Sequence, residues 1–232
     1  MRNIVITGAS DGIGRALALE LLKTPGNRLF LISRNQAKMS DAFRDYLEVP
    51  DRVFLFPYDL AYEDYSALVS SIVETAGHID ILVNNAGALV KKPFTEITSE
   101  DFQRVVDTNF RAPFFLIQQF LPHLVKGSHI VNISSMGGFQ GSAKFPGLSL
   151  YSASKGALST LTEVLAAELS DLGIYVNCLA IGSVNTTMLA EAFPGYNAPI
   201  TAESMAEFLA WFAVNGNRWI NGKVLPVSLS TP

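Results

Sequence analysis

The chain has 232 residues, 49% of them hydrophobic and 16% charged, with a formal net charge of −4. That length and apolar content suffice for one α/β domain over residues 1–232 with a large buried core. The acidic balance, with no run of Lys or Arg, excludes a phosphate-backbone footprint, so no nucleic-acid partner is expected.

In chain order, Asn3–Thr7 (NIVIT) reads as a short buried strand and Gly12–Lys23 as a helix. Arg28–Ser33 follows as a strand, Gln36–Glu48 as a helix stopped near Pro50, and Arg52–Pro57 as a third strand. Tyr62–Ala76 reads as a helix and Asp80–Asn84 as the fourth strand. Ser99–Val125 reads as one long helix with Pro113 and Pro122 as kinks or breaks. Ser128–Ser134 is the fifth strand, Leu150–Leu172 a long helix, and Ile174–Ala180 the sixth strand. Ala202–Val214 is a helix and Lys223–Ser228 the last strand. Short apolar strands alternating with helices predict βαβ units and a parallel sheet covered on both faces. Two irregular stretches, Met136–Ser149 and Ile181–Ile200, follow strands five and six. Ligands in open α/β sheets bind at the carboxyl ends of strands, so these stretches are expected to wall the site.

The apolar runs at Phe114–Ile117 and Leu209–Val214 fall far short of the roughly 18–20 residues that span a bilayer, and the first residues are too brief an apolar run for a signal peptide. Neither membrane insertion nor a membrane partner is expected. Cys178 is the single cysteine, so no intrachain disulfide forms, and a reducing, cytoplasmic location is expected. His78, His123 and His129 are scattered without metal or triad spacing, and no metal site is expected.

The segment Thr7-Gly8-Ala9-Ser10-Asp11-Gly12-Ile13-Gly14 joins the first strand to the first helix. Glycines there permit a tight turn and let backbone N–H groups approach a pyrophosphate at the helix N-terminus. At the end of the second strand an acid would bind the ribose 2′-hydroxyl of NAD, whereas an Arg would accommodate the 2′-phosphate of NADP. The chain has Ser33-Arg34-Asn35 and no acid, which points to NADP(H) over NAD(H). Asp11 argues the other way, since its carboxylate falls near the same phosphate.

With TGASDGIG, Asn84-Asn85-Ala86-Gly87 after the fourth strand, and Tyr151-Ser-Ala-Ser-Lys155 on a later helix, the chain resembles the short-chain dehydrogenase/reductase family. The match runs from Asn3 to about Met188. The resemblance implies a Rossmann-type, doubly wound parallel sheet of about seven strands in a three-layer α/β/α arrangement. It implies a phosphate loop formed by Thr7, Gly8, Gly12, Ile13 and Gly14, with Ser10 and Asp11 in the same loop. Asp59-Leu60 match a pair at the adenine ring. Asn85, Ala86 and Gly87, with Asn84 before them, match the turn beside the cofactor. Gly182, Val184 and Thr186 match the segment closing over the nicotinamide. Asn109, Ser135, Tyr151 and Lys155 match the catalytic tetrad. The chain departs from the family in having Ile181 where a proline usually precedes the glycine. It also carries a longer stretch between Ser135 and Tyr151, with GSAKFPG as the extra loop.

The chemistry follows from the residue types. Reduction of a carbonyl needs a hydride on carbon, which the cofactor carries, and a proton on oxygen. Tyr151 and Lys155 are four apart on one helix face. A nearby ammonium is expected to lower the phenol pKa, making Tyr151 a general acid in reduction and general base in oxidation. Ser135 is expected to donate a hydrogen bond to the carbonyl oxygen. A helix distortion at Asn109 would free its carbonyl for a water leading to Lys155, a role implied by the resemblance. The expected substrate is a small carbonyl or alcohol compound; a non-catalytic dinucleotide sensor and a dehydratase or epimerase are alternatives. The two long helices carry surplus apolar residues, and by resemblance such helices pair in a homodimer or homotetramer.

Overall fold

The computed structural model describes residues 1–61 and 64–229. Its strands are β1 (Arg2–Thr7), β2 (Asn27–Ser33), β3 (Val53–Pro57), β4 (Ile79–Asn84), β5 (Leu124–Ser135) and β6 (Tyr175–Ile181). A short pair follows, β7 (Val184–Asn185) and β8 (Ile200–Thr201), and then β9 (Val224–Val227). The helices are α1 (Gly12–Leu22), α2 (Gln36–Ala42), α3 (Arg44–Leu47), α4 (Tyr65–Ala76), α5 (Ser99–Val106), α6 (Ala112–Phe120), α7 (Ser149–Glu168), α8 (Thr187–Ala192) and α9 (Ala202–Asn215). The predicted start of the third helix at Tyr62 lies outside the described residues.

Seven strands form one parallel sheet in the order β3-β2-β1-β4-β5-β6-β9. The strands carry apolar residues on both faces because both faces are covered. Ile4, Ile6, Leu29 and Leu31 pack with Leu17 and Leu21 of α1 and Met205 and Leu209 of α9. Val5, Phe30 and Ile32 face the other way, against Leu68 and Ile72 of α4, Leu116 and Phe120 of α6, and Leu169 beyond α7. This is the three-layer, doubly wound Rossmann architecture that the sequence implies. Strand order reverses between β1 and β4, and the crevice at their carboxyl ends is where the fold places a ligand.

Three helix predictions need correction. Gln36–Glu48 is two helices, because Phe43 leaves the helical track (φ −118°, ψ 16°) and is fully buried in the core. Ser99–Val125 is α5, a π-helical turn over Asp107–Arg111, then α6. Pro113 does not break this helix; it sits in the first turn of α6, where a missing N–H costs least. Pro122 does end it, in a short 3₁₀ turn, and Leu124 and Val125 belong to β5. Leu150–Leu172 ends as α7 at Glu168, with a 3₁₀ turn over Ser170–Leu172 closed by the left-handed Gly173. The stretch after β6, read as irregular, contains the β7–β8 pair and α8.

His129, 1% exposed, ties β5 to β6 and α9. Its Nδ1–H donates to the Ala213 carbonyl at 3.0 Å, and Nε2 accepts from the Asn177 amide at 3.0 Å. These partners fix the neutral ring, and burial pulls its pKa from 6.5 down to about 4. Between those two values the unfolded chain binds the extra proton, so stability rises with pH across the window and is lost as pH falls through it. By this linkage His129 removes about 2 kcal/mol on going from pH 7.5 to pH 5. Urea unfolding of wild type and His129→Gln at both pH values should show a pH slope shallower by that amount in the variant. Parallel slopes would remove His129 from the acid response.

Candidate active site

The first loop is held against the turn after β4. Gly8 has φ +70°, and a Cβ there would lie 2.8 Å from the Ala86 Cα. The Thr7 hydroxyl accepts from the backbone N–H of Asn85 (3.0 Å) and Ala86 (2.9 Å). The Asn85 amide donates back to the Thr7 carbonyl at 2.9 Å. A Cβ on Gly14 would lie 2.3 Å from the Gly8 carbonyl oxygen and 2.4 Å from the Asn85 amide nitrogen. Ile13 packs on the core and helps to seat the start of α1. Asp11 caps α1, accepting from the Gly12 N–H at 2.7 Å.

At the end of β2 the Ser33 hydroxyl donates to Ser10 of the first loop at 2.7 Å. The exposed Arg34 guanidinium lies 3.9 Å from the Asp59 carboxylate. Asp59 also accepts from the Ala61 N–H at 3.0 Å, and Leu60 beside it is buried. Lys38, which sequence reasoning passed over, reaches from the first turn of α2 to Asp11 at 3.1 Å. The available signal was the Asn35 cap, which accepts from the Lys38 N–H and fixes where α2 begins. Burial opposes ionisation of Asp11, but hydrogen bonds from Lys38, the Gly12 N–H and Thr187 outweigh it and hold its pKa below the usual carboxylate value.

Asn84 does not join Asn85, Ala86 and Gly87 on the crevice side. It is 1% exposed, and its amide donates to Asn132 of β5 at 2.8 Å, inside the sheet. Gly87 faces the crevice; a Cβ there would stand 3.6 Å from the Lys155 Nζ and 3.7 Å from the Asn109 Oδ1.

Asn109 lies in the π-helical turn, where the distortion was expected. The Ala112 N–H reaches back five residues to the Asp107 carbonyl, and Pro113 cannot donate to the Asn109 carbonyl four residues earlier. The Asn109 side chain is fully buried, accepting from the Ala88 N–H at 2.7 Å and donating to the Ala88 carbonyl at 2.9 Å. It also donates to Ser154 at 2.9 Å, whose hydroxyl donates to the Tyr151 carbonyl at 2.7 Å. Ser154 therefore joins the π turn to the Tyr151 turn of α7. Sequence reasoning missed it, although its place three residues after Tyr151 puts it on the same helix face.

Consecutive strand residues point to opposite faces, so Ser134 and Ser135 cannot both face the crevice. Ser134 is 1% exposed and donates to the Lys155 carbonyl at 2.8 Å. Ser135, half-buried at the end of β5, accepts from the Gly137 N–H at 3.1 Å and hydrogen-bonds the Tyr151 phenol. Lys155 is 4% exposed and donates its ammonium to the Ile133 carbonyl at 2.8 Å.

The expected electrostatics of this pair need correction. Burial pushes the Tyr151 phenol above the ordinary tyrosine value, and the Ser135 hydrogen bond acts against that shift without reversing it. Lys155 is not among the groups that lower it. Burial instead pulls Lys155 itself down to about 8. Desolvation is the largest influence on each group, so at neutral pH the phenol keeps its proton.

The far wall comes from the segment after β6. The Gly182 N–H donates to the Val227 carbonyl at 2.8 Å, and Ile181 pairs with Ser135 and Val227 within the sheet. The ladder thus shapes this corner without the usual proline. Val184 is buried and pairs with Ile200, and Thr186 caps α8 with its hydroxyl. A Cβ on Gly12 would lie 3.2 Å from the Thr186 Cγ2, so this wall stands directly over the first loop. Lys91 lies 4.0 Å over the Phe193 ring, bringing the loop after β4 to the end of α8.

Comparison with known proteins agrees with this geometry. The family model described as short chain dehydrogenase matches residues 2–197. The chain is 30% identical over 206 residues to an oxidoreductase of Staphylococcus aureus strain MW2, covering 88% of this chain and 87% of that one. A short chain dehydrogenase from Burkholderia cenocepacia J2315, solved in complex with NADP, is 29% identical. It superposes with a TM-score of 0.87 over 98% of this chain and 96% of its own. A 3-ketoacyl-(acyl-carrier-protein) reductase from Brucella melitensis, solved with NADH, is 26% identical with a TM-score of 0.86, over the same shares of the two chains. With its fold, its three motifs and these relatives in agreement, the chain belongs to the short-chain dehydrogenase/reductase family.

Proposed function

We propose that this protein is an NADP(H)-dependent oxidoreductase that interconverts a carbonyl and an alcohol by hydride transfer, with residues 1–232 acting as one catalytic domain. The observation that carries the reading is Tyr151, a phenol hydrogen-bonded to Ser135 and one helical turn from the buried Lys155. The crevice fits a dinucleotide. Gly8 and Gly14 leave no room for a side chain between the first loop and Asn85-Ala86, and Arg34 and Ser33 stand where a 2′-phosphate would fall. Thr7, Gly8, Ser10, Gly12, Ile13 and Gly14 would hold the pyrophosphate end. Asp59 and Leu60 would lie at the adenine, and Asn85, Ala86, Gly87, Gly182, Val184 and Thr186 at the nicotinamide end.

When bound, the nicotinamide supplies the hydride. The chain's own residues then handle the oxygen. Ser135 donates a hydrogen bond to the substrate oxygen, an interaction worth ~3 kcal/mol of barrier at comparable sites. Tyr151, protonated at neutral pH, gives its proton to the same oxygen in reduction and takes it back in oxidation. Lys155 places a positive charge beneath the site and has further N–H groups for the ribose hydroxyls. Asn109 and Ser154 fix the turn that carries Tyr151.

Steady-state NADPH consumption with a panel of ketones and aldehydes tests this reading. Carbonyl-dependent turnover with an alcohol product is the expected result. Tight cofactor binding with no carbonyl consumed would leave a dinucleotide sensor instead.

We also propose a homodimer or homotetramer in a cytoplasmic setting. Phe102 of α5, Phe114 of α6 and Val164 of α7 expose 56%, 38% and 47% of their surface. A groove of about 780 Å³ lies between α5 and α7, lined by Phe94, Ile97, Phe102, Val106 and Leu150. Exposed apolar side chains on these helices beside such a groove support an interface between copies of the chain. Among the described residues, no helix is long and apolar enough to cross a membrane. Light scattering that finds only a 25.2 kDa species would end the oligomer proposal.

A further inference from the structure

Strand β5 holds Lys155 at both ends. The Lys155 ammonium donates to the Ile133 carbonyl at 2.8 Å. One residue further along the strand, the Ser134 hydroxyl donates to the Lys155 carbonyl, also at 2.8 Å. The Ser159 hydroxyl lies 3.0 Å from that same carbonyl and 3.1 Å from the Ser134 oxygen, and its one proton can serve either. A serine that bonds back four residues is ordinary in a helix. A second hydroxyl reaching the same carbonyl from a neighbouring strand is not something the helix requires. On the far side the Cys178 sulfur of β6 lies 3.8 Å from Ser159, and Ser134, Lys155, Ser159 and Cys178 are all buried. The turn after β5 closes the cluster. A Cβ on Gly138 would lie 2.6 Å from the Lys155 carbonyl carbon and 2.8 Å from the Lys155 Cβ, so the two main chains touch.

We propose that Ser134 and Ser159 are positioning residues that fix the Lys155 turn of α7 beneath the site. The proposal rests on the oxidoreductase reading and deepens it. A lysine stem is flexible, so its ammonium keeps its place only while the main chain that carries it is fixed. Tyr151 and Lys155 lie a full turn apart, and each turn has its own anchor. Ser154, held by Asn109, secures the Tyr151 carbonyl. Ser134 and Ser159 secure the Lys155 carbonyl. The two consecutive serines at the end of β5 thus divide the work. Ser135 hydrogen-bonds the phenol on the crevice side, and Ser134 grips the helix that carries it from within the fold. Without its hydroxyl, the Lys155 main chain loses its hydrogen bond to β5, and the turn is free to shift along the strand. A displacement of about 1 Å in a catalytic group can cost about a hundredfold in rate.

The test compares wild type, Ser134→Ala, Ser159→Ala and Thr162→Ala. Thr162 is the matched control. It is buried one turn further along α7, accepts from Asn132 of β5 at 2.9 Å and bonds back to the Leu158 carbonyl at 2.9 Å. Its loss removes the same kinds of bond without touching Lys155. Melting temperature, NADPH Kd by nucleotide fluorescence, and kcat and KM for a ketone are measured for all four, well below each melting point. Ser134→Ala is expected to lower kcat about 10- to 100-fold with ketone KM within about twofold of wild type. NADPH Kd is expected to weaken several-fold, because the Lys155 N–H groups no longer meet the ribose squarely. Ser159→Ala is expected to act in the same direction with a smaller loss, and it carries the test if Ser134→Ala does not fold. Thr162→Ala is expected to lower the melting temperature while leaving kcat and Kd close to wild type. Unchanged kcat and Kd in the serine variants, or equal losses in Thr162→Ala, overturn this proposal alone. A wild type that binds NADPH and reduces no carbonyl overturns the oxidoreductase reading and this proposal together.

Discussion

Tyr151→Phe is expected to lower kcat for carbonyl reduction by about 100- to 10,000-fold, the range for removing a positioned acid, with NADPH affinity retained. The ring stays in place, and only the phenolic hydroxyl that hydrogen-bonds Ser135 is lost. The stability cost is expected to be about 1 kcal/mol, the usual net worth of one such bond. The neighbours cannot take over its task. Ser135 has no proton to spare at neutral pH. Lys155 is turned down to the Ile133 carbonyl beneath the site. Steady-state kinetics together with NADPH titration would check both halves of the prediction. Substantial turnover in the variant would show that another group supplies the proton.

Gly14→Ala carries the second large effect. The added methyl would lie 2.3 Å from the Gly8 carbonyl oxygen, a backbone atom that cannot move without the loop. The same methyl would meet the Asn85 amide at 2.4 Å, and that amide ties the first loop to the turn after β4. The loop must open, which is expected to weaken NADPH binding more than tenfold and to destabilise the fold by ~1–3 kcal/mol, the usual range for overpacking. Gly26→Ala is the matched control, since nothing lies within 4 Å of its added methyl. Its stability should stay within about 0.5 kcal/mol of wild type. Thermal melts and NADPH titration of both variants check this. Equal behaviour of the two would mean that the first loop is not a cofactor cradle.

The sheet was legible in the sequence because its strands are buried on both faces and so read as plain apolar runs such as NIVIT and RLFLIS. The helix breaks were less legible. Nothing in the local pattern says that Phe43 leaves its helix, because the pull comes from the core it enters. Leu124 and Val125 looked helical until pairing placed Leu124 opposite Ile79. A helix distortion was expected at Asn109 from its poor helix propensity, and the structure shows it to be a π turn.

Within the site, the Tyr151–Lys155 spacing and the first loop are local patterns, and local patterns survive in a sequence. The direction of the Tyr151 shift is not local. It depends on how much protein surrounds the phenol, and the expected lowering by Lys155 yielded to desolvation. Lys38 escaped notice for a related reason: its contact with Asp11 spans 27 positions and exists only once α2 has folded beside the first loop. Asn84 looked like part of the cofactor turn, yet strand alternation sends it into the sheet toward Asn132.

The most direct measurement follows the hydride itself. NADPH carrying deuterium at nicotinamide C4 is incubated with the wild-type protein and a ketone that it consumes, and the alcohol is analysed by mass spectrometry and NMR. Deuterium on the carbinol carbon, one per cofactor oxidised, with the hydroxyl proton drawn from solvent, is the predicted result. An alcohol whose new carbon-bound hydrogen is unlabelled, with either cofactor stereoisomer, would contradict hydride transfer at this site.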